Sequence, residues 1–532
     1  MRLRRLAALL IVGVLHPDSA LPQRAQAPPA SKPEPALAFA DPERLSKLAA
    51  AFPTIDALFR DFVERSHVPG AAWGIVIDGD LAHTGTTGFR ELSSKAPVEA
   101  DTVFRIASMT KSFTAMAILS LRDEGKLDLD DPAERFVPEL KALTYPTADS
   151  PRITIRHLLT HSEGFPEDNP WGDQQLGITE AQMTALLRRG IPFSNAPGVA
   201  YEYSNYGFAL LGRIVARASG KPYNQYLSER ILTPLGMTST TMEAARVPAA
   251  RLAHGYRWED DRWKEEPLLP DGAFGPMGGM LTSVRDLSRY VGALLAAWPP
   301  RDDADAGPVG RASLREMQQV ARFGAASTTR DAKGRVQLTA SGYGYGLGIS
   351  QSCTFRHIVA HSGGLPGFGS QMRWLPEYGV GIIAFGNLTY TGWGTPVTAA
   401  LDALAATGAL RPRAIRPSRA LVDARNVVAG LVERWDDAAA DRIAANNLFL
   451  DSSKERRRAE LAALRAQVGD CPADRDRFDV VQNALRGQWV MTCARGRLHV
   501  SITLAPTMPP GVQHWSVRPA AAEVATAAAC AE

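Results

Sequence analysis

The chain has 532 residues, of which 45% are hydrophobic and 22% are charged. This composition is typical of a folded globular protein, and it has neither the low hydrophobicity of a disordered chain nor the apolarity of an integral membrane protein. The formal net charge of +3 is small for this length. The charge therefore gives no indication of a nucleic-acid partner, and we predict none.

The first residues have the pattern of an export signal. A short arginine-rich start precedes the apolar run from Leu6 to Leu15, which is too short to span a bilayer. We predict a signal peptide at residues 1–27 and a proline-rich linker at 28–42, and hence a periplasmic or secreted bacterial protein. An uncleaved membrane anchor is the alternative. We expect no transmembrane span after removal of the signal, because no other window is long and apolar enough.

The first domain is predicted at residues 43–408. Apolar residues from Leu45 to Val63 have helical spacing, and two strands, Ala71 to Ile77 and Leu81 to Gly88, follow. A helix, a hairpin and a later apolar helix indicate a sheet covered by helices. We expect residues 299–341 to form a mobile excursion from this domain.

A basic, proline-broken segment at residues 409–420 is predicted to be a linker to a small α+β domain at 421–520. Residues 421–449 and 453–468 have helical patterns, and residues 488–504 have the pattern of two strands around a turn. Cys471 and Cys493 lie in this segment and can pair if the chain is exported, although two unpaired thiols remain the alternative. The sequence indicates no role for this domain.

The first chemically informative motif is Ser108-Met109-Thr110-Lys111. The residues that follow it are apolar on nearly every side, which predicts a buried helix with Ser108 at its N-terminus and Lys111 one turn later on the same face. A serine hydroxyl needs a base to become a nucleophile, and burial can lower the pKa of a lysine enough for that role. A chance occurrence of this short motif on a solvated helix is the alternative.

The second motif carries two polar side chains. Tyr203-Ser204-Asn205 precedes a predicted helix, and from an extended turn its first and last side chains project the same way. A tyrosine can act as a general base and an asparagine amide can hold a lysine or a substrate carbonyl. A core tyrosine beside a helix cap is the alternative.

The third motif follows a strand-like run and consists of four residues: His361, Ser362, Gly363 and Gly364. A glycine-rich strand edge allows a substrate to approach the backbone closely and can supply an N–H group to an oxyanion. An ordinary glycine turn is the alternative.

Together the three motifs resemble the S-x-x-K, Y-x-N and K/H-[ST]-G pattern of the serine β-lactamase and penicillin-binding-protein superfamily, nearest to class C β-lactamases and their esterase and peptidase relatives. The connecting sequence is similar to that branch too. The stretches that carry this similarity are Ile155 to Gly164, Pro197 to Met242 and Gly278 to Leu287. The resemblance covers roughly residues 45 to 405.

This resemblance implies a fold, a mechanism and a substrate class. The fold is α+β, a central antiparallel sheet flanked by helices beside an all-helical subdomain that carries the tyrosine motif. Ser108 is implied as the nucleophile, with Lys111 and Tyr203 as general base or acid, and the motifs leave open which of the two takes the serine proton. Asn205 and the four residues of the third motif are implied to bind substrate. No metal and no cofactor are implied, and the substrate is a small ester, amide, β-lactam or peptide.

His361 replaces the lysine that β-lactamases and D,D-peptidases of this superfamily usually carry. Histidine has an ordinary pKa of about 6.5, so at neutral pH it lacks the fixed cation that suits a substrate carboxylate. We therefore expect better activity on uncharged esters or amides than on penicillins, and an improvement on carboxylate substrates as the pH falls toward about 6. Arg373 is the alternative source of the missing positive charge.

Overall fold

The structure is a computed structural model that describes residues 39, 41–301, 303–330, 334, 336–473 and 477–520. The predicted signal peptide at 1–27 and most of the predicted linker at 28–42 lie outside these residues. Among the helices described, none is long and apolar enough to cross a membrane. Within the same ranges, no cluster of three or more His, Cys, Asp or Glu side chains is placed to hold a metal ion.

The strands divide between one large and one small sheet and two short pairs. They are β1 (Gly70–Ile77), β2 (Asp80–Glu91), β3 (Ala96–Pro97), β4 (Phe104–Arg105), β5 (Gly255–Glu259), β6 (Arg262–Glu266), β7 (Leu281–Thr282), β8 (Arg322–Arg330), β9 (Val336–Tyr343), β10 (Gly348–Ser352), β11 (Ile358–Leu365), β12 (Phe368–Leu375), β13 (Val380–Gly386), β14 (Val480–Asn483), β15 (Arg486–Cys493), β16 (Gly496–Leu504) and β17 (Val512–Pro519). The large antiparallel sheet has the order β3-β2-β1-β13-β12-β11-β10-β9-β8.

Helices cover both faces of the large sheet and form a separate layer beside it. They are α1 (Arg44–Ala49), α2 (Phe52–Arg65), α3 (Thr110–Asp123), α4 (Ile155–Leu159), α5 (Asn169–Asp173), α6 (Glu180–Arg189), α7 (Asn205–Ser219), α8 (Tyr223–Leu227), α9 (Gly275–Gly278), α10 (Val284–Ala296), α11 (Arg311–Met317), α12 (Gly394–Ala406), α13 (Arg419–Glu433), α14 (Asp437–Ile443), α15 (Leu448–Asp451) and α16 (Lys454–Val468). This α+β architecture is the fold that the resemblance implies.

The two faces of β1 show how the sheet is buried. Trp73 packs with Phe59 of α2 in one core, whereas Ala72 and Val76 belong to a second core with α3. All eight residues of β1 are therefore buried, as its continuous apolar run predicts. The helix predicted from Leu45 to Val63 is instead two helices, because the chain turns after α1 and restarts with Pro53 in the first turn of α2, a position that suits proline.

The segment predicted as a mobile excursion contains elements that the prediction missed. Helix α11 lies within it, and strands β8 and β9 form a hairpin that extends the large sheet beyond β10. Almost every residue of β8 is exposed, so the strand lacks the buried apolar face that sequence patterns report.

The C-terminal part has its own hydrophobic core, built from α13 to α16 and the four-stranded sheet β14-β15-β16-β17. The strands predicted on both sides of the turn near residue 495 are β15 and β16. The helix predicted from 421 to 449 is three helices, and Asp436 caps the second of them by accepting the N–H of Ala439. Cys471 and Cys493 form a disulfide, as predicted.

The disulfide generates a prediction about stability. It joins residues 22 positions apart, and closing a loop of this length in the unfolded chain stabilises the folded state by about 3 kcal/mol. Replacing both Cys471 and Cys493 with Ala should lower the free energy of unfolding of the C-terminal domain by this amount in denaturant titrations. Thiol counting on the denatured, non-reduced wild type should find both sulfurs blocked, and two titratable thiols there would contradict the assignment.

Candidate active site

Ser108 lies immediately before the first turn of α3. It lies in a single 3-10 turn, Ala107–Met109, that leads directly into the helix. Residues 110 to 121 are all buried, as the all-round apolar sequence predicts. Lys111 is one turn further along with 0% exposure, and its Nζ lies 3.0 Å from Ser108 Oγ. The two side chains thus meet on one helix face.

The Lys111 amine is held by two carbonyl oxygens in addition to the serine. Nζ donates to Asn205 Oδ1 at 2.6 Å and to the main-chain oxygen of Met277 at 2.8 Å. A carbonyl oxygen only accepts hydrogen bonds, so these two contacts occupy both N–H bonds of a neutral amine. The lone pair of that amine is then directed at the third neighbour, Ser108 Oγ.

Burial governs the protonation of Lys111. Removal from water lowers its pKa to about 7, and the charges of Asp168 and Asp173 oppose that shift. An ordinary lysine is almost wholly charged at neutral pH, whereas this one is neutral in a large fraction of molecules. The amine can therefore accept a proton near neutral pH.

Tyr203 lies against the same amine. Its ring centroid is 4.8 Å from Lys111 Nζ, and its hydroxyl is hydrogen-bonded to Ser108. Burial raises the pKa of Tyr203 well above 10, although the bond with Ser108 opposes the shift. The hydroxyl is therefore protonated at neutral pH, which suits a proton donor. The buried ring of His161 packs 4.4 Å from that of Tyr203 and fixes its orientation.

Asn205 is oriented by two residues that no sequence motif singles out: Asp168, just before α5, and Asn169, its first residue. Asp168 accepts the backbone N–H groups of Asn205 and Tyr206 at the start of α7, and Asn169 Oδ1 accepts from Asn205 Nδ2 at 3.2 Å. These bonds turn Asn205 Oδ1 toward the lysine. The carbonyl of Met277 was equally unpredictable, because every residue type carries one.

The third motif lies on β11, where the strand has a free edge. Strand β10 pairs with β11 only as far as Ala360, so the following residues pair with β12 alone. A Cβ at Gly363 would lie 2.1 Å from the oxygen of Ile106, so only glycine allows β11 to approach the turn that contains Ser108 this closely. Ser362 is exposed and Gly364 is half-buried at the edge. No acceptor in the described chain receives the N–H of Ser108.

His361 does not bind a substrate in the way the sequence suggested. It is 7% exposed, and both ring nitrogens are occupied: Nδ1–H donates to the oxygen of Ser362 at 2.6 Å, and Nε2 accepts from the Tyr343 hydroxyl at 3.0 Å. Burial and the nearby Lys111 lower its pKa to about 3. At this pKa His361 stays neutral near pH 6, so the structure does not support the expected gain on carboxylate substrates in that range.

Arg373 does not replace the missing cation either. Its neighbours Met372 and Trp374 face the core that contains α3, whereas Arg373 points to the opposite face of the sheet. There it donates to Thr398 of α12. The third motif therefore has no arginine from β12 beside it.

A sequence model of the family described as Beta-lactamase matches residues 55–407. The chain belongs to the beta-lactamase family. This match contains all three motifs and ends just before the C-terminal domain.

Two curated relatives are similar to part of the chain. Protein flp of Staphylococcus aureus (strain MW2) is 28% identical over 345 residues, which cover 63% of this chain. Penicillin-binding protein 4* of Bacillus subtilis is 28% identical over 313 residues, which cover 55% of this chain. The chain spans 62% of the length of each relative.

Solved structures share the fold. An octameric penicillin-binding protein homologue from Pyrococcus abyssi superposes with a TM-score of 0.57 and 21% identity, covering 85% of this chain and 96% of that one. A penicillin-binding protein from Bacillus halodurans gives a TM-score of 0.51 and 24% identity, covering 65% and 98%.

The pKa of Lys111 predicts a pH dependence. Only the neutral amine can accept the hydroxyl proton, so acylation of Ser108 by an uncharged ester should rise with pH, with a midpoint near 7. The measurement is kcat/KM against pH. Tyr203→Phe should lower the rate but keep the midpoint, because Tyr203 is protonated throughout this range. If the midpoint near pH 7 disappears from the kcat/KM profile of Tyr203→Phe, the group that ionises there is Tyr203 and not Lys111.

The environment of His361 predicts how charge affects substrate choice. His361 is neutral above its pKa of about 3, so the ratio of kcat/KM for a cephalosporin to that for an uncharged ester should have the same pH profile in the wild type and in His361→Gln between about pH 5 and 8. In His361→Lys the ratio should rise about tenfold, since a cation adds a charge-assisted hydrogen bond to the carboxylate. A rise of the ratio toward about pH 6 that is present in the wild type and absent in His361→Gln would contradict this assignment.

Proposed function

We propose that the protein is a serine hydrolase that forms a covalent acyl-enzyme on Ser108. The observation that carries the proposal is the amine of Lys111, whose two N–H bonds are held by carbonyl oxygens and whose lone pair faces Ser108 Oγ. A buried structural lysine would instead be expected to pair with a carboxylate.

The same geometry supports a sequence of proton transfers. The Ser108 hydroxyl gives its proton to Lys111 Nζ while Oγ bonds to the substrate carbonyl carbon. The oxyanion is stabilised by the N–H groups of Ser108 and Gly364. Tyr203 gives its proton to the leaving group and recovers one from Lys111. Water then attacks the acyl carbon, and the reverse proton transfers release Ser108.

The proposed substrates are small esters, amides or D-amino-acid-type peptides. A neutral His361 with both nitrogens occupied, and an Arg373 on the far face of the sheet, leave the third motif without a cation for a carboxylate. These features support acyl groups without a carboxylate over penicillins. A β-lactamase or D,D-carboxypeptidase would be expected to need such a cation.

We further propose that the protein acts outside the bacterial cytoplasm, in the periplasm or after secretion. The arginine-rich start and short apolar run support export. The Cys471–Cys493 disulfide supports the same compartment, since such bonds persist under oxidising conditions.

Ser108 provides the direct test. Ser108→Ala should lower turnover of any accepted ester by about 10^4-fold or more, because the nucleophile is lost. Intact-mass spectra after treatment with a fluorophosphonate should show one adduct on the wild type and none on the variant. Labelling of the Ser108→Ala protein would show that another residue is the nucleophile. A wild type that forms the adduct with a penicillin but never releases it would favour a penicillin-binding sensor over a hydrolase.

A further inference from the structure

A buried carboxylate, Asp173, lies close enough to Lys111 for their charges to interact, but it makes no direct ion pair among the described residues. Asp173, the last residue of α5, is 3% exposed. Its Oδ2 accepts a hydrogen bond from the Tyr390 hydroxyl at 2.9 Å, and Asp173 makes no ion pair with any Lys, Arg or His of the described chain. Buried carboxylates are ordinarily paired with a cation, so this one is available to a charged ligand.

Contacts place Asp173 in the gap between two substrate-binding elements. The preceding residue, Gly172, packs on Asn205: a Cβ added to it would lie 2.8 Å from the Asn205 Cβ. On the other side, the Tyr390 ring lies 2.7 Å from the Cβ position of Gly364. Asp173 thus lies between Asn205, which Gly172 contacts, and the free edge of β11, which Tyr390 contacts.

Tyr390 has a conformation that suits this position. Its φ is 52°, in the left-handed region that a tyrosine rarely adopts, and half of its surface is exposed. Such conformations persist where surrounding contacts fix them, and they are common at ligand sites. The ring covers Gly364 on one side and reaches Asp173 with its hydroxyl.

The charged groups nearest to the cleft are mainly negative. The field of Asp173 reaches Lys111 and Tyr203, and Asp168 adds to it. Burial keeps His161 and His361 uncharged at neutral pH. Lys111 is the single cation in this group, and it is partly neutral near pH 7. A positive substituent entering the cleft is therefore attracted, whereas a carboxylate is repelled.

We infer that Asp173 and Tyr390 form a subsite for a positively charged nitrogen on the acyl part of the substrate. Esters and amides that carry a free ammonium group near the scissile carbonyl are then the preferred substrates. The inference rests on the proposed serine hydrolase, and it narrows the substrate class of the same site.

A matched pair of esters tests whether the subsite prefers a positive charge on the acyl part of the substrate. Glycine methyl ester carries an ammonium group where methyl propionate carries a methyl group. The wild type should hydrolyse the glycine ester with the higher kcat/KM at pH 7. In Asp173→Asn, which keeps the side-chain shape, kcat/KM for the glycine ester should fall about 10- to 100-fold, as expected for losing a hydrogen bond to a charged group. The value for methyl propionate should change less than threefold.

Glu167→Gln is the control, because it removes the same charge from an exposed side chain six residues away. Its effect on both esters should stay below threefold, since solvent screens an exposed carboxylate. Equal losses on both esters in Asp173→Asn would show that Asp173 only maintains the structure of the site and would overturn the inference.

The outcome separates the inference from the proposed function. A wild type that labels on Ser108 with a fluorophosphonate but does not prefer the glycine ester, or does not hydrolyse it, overturns the cation subsite and leaves the serine hydrolase standing. A wild type that fails to label on Ser108 overturns the proposed function itself.

Discussion

Placing a lysine amine in a protein interior costs free energy, because the charged form loses its hydration and the neutral form must still satisfy its N–H bonds. In this chain the amine of Lys111 contacts Ser108 in the turn before α3 and two oxygens from helices far along the chain, α7 and α9. Those groups meet only when α3, α7 and α9 pack together. The packing of these three helices is therefore a condition for a neutral, correctly directed amine.

Local sequence was sufficient for the elements whose pattern is contained in a few residues. The spacing of Ser108 and Lys111 fixes a shared helix face wherever the helix lies, and the capping serine before α7 together with Gly220 after it marks both ends of that helix. The family resemblance added the order of the motifs, and so brought Tyr203 and Asn205 to the same site. The cysteine pair followed from its short separation and the expected compartment.

Features that depend on packing between distant segments could not be predicted in this way. The identity of His361 predicts an ordinary titration, but its burial and its bond to Tyr343 come from a strand contact that no local pattern encodes. The helix α5 was missed because it is five residues long and contains proline and glycine. The β8–β9 hairpin was missed because nearly all of β8 is exposed and most of β9 is only half-buried, so neither strand has the alternation of buried and exposed residues that identifies a strand.

The free edge of β11 has a second consequence for the molecule. An unpaired strand presents main-chain N–H and C=O groups to any other strand of suitable length, and exposed edges of this kind promote association and aggregation. Here the edge is recessed, because Gly363 lies against the turn of Ile106 and Tyr390 covers Gly364. These neighbours limit how closely the edge of a second sheet can approach β11. The same walls that shape the cleft thus hinder backbone pairing between neighbouring molecules.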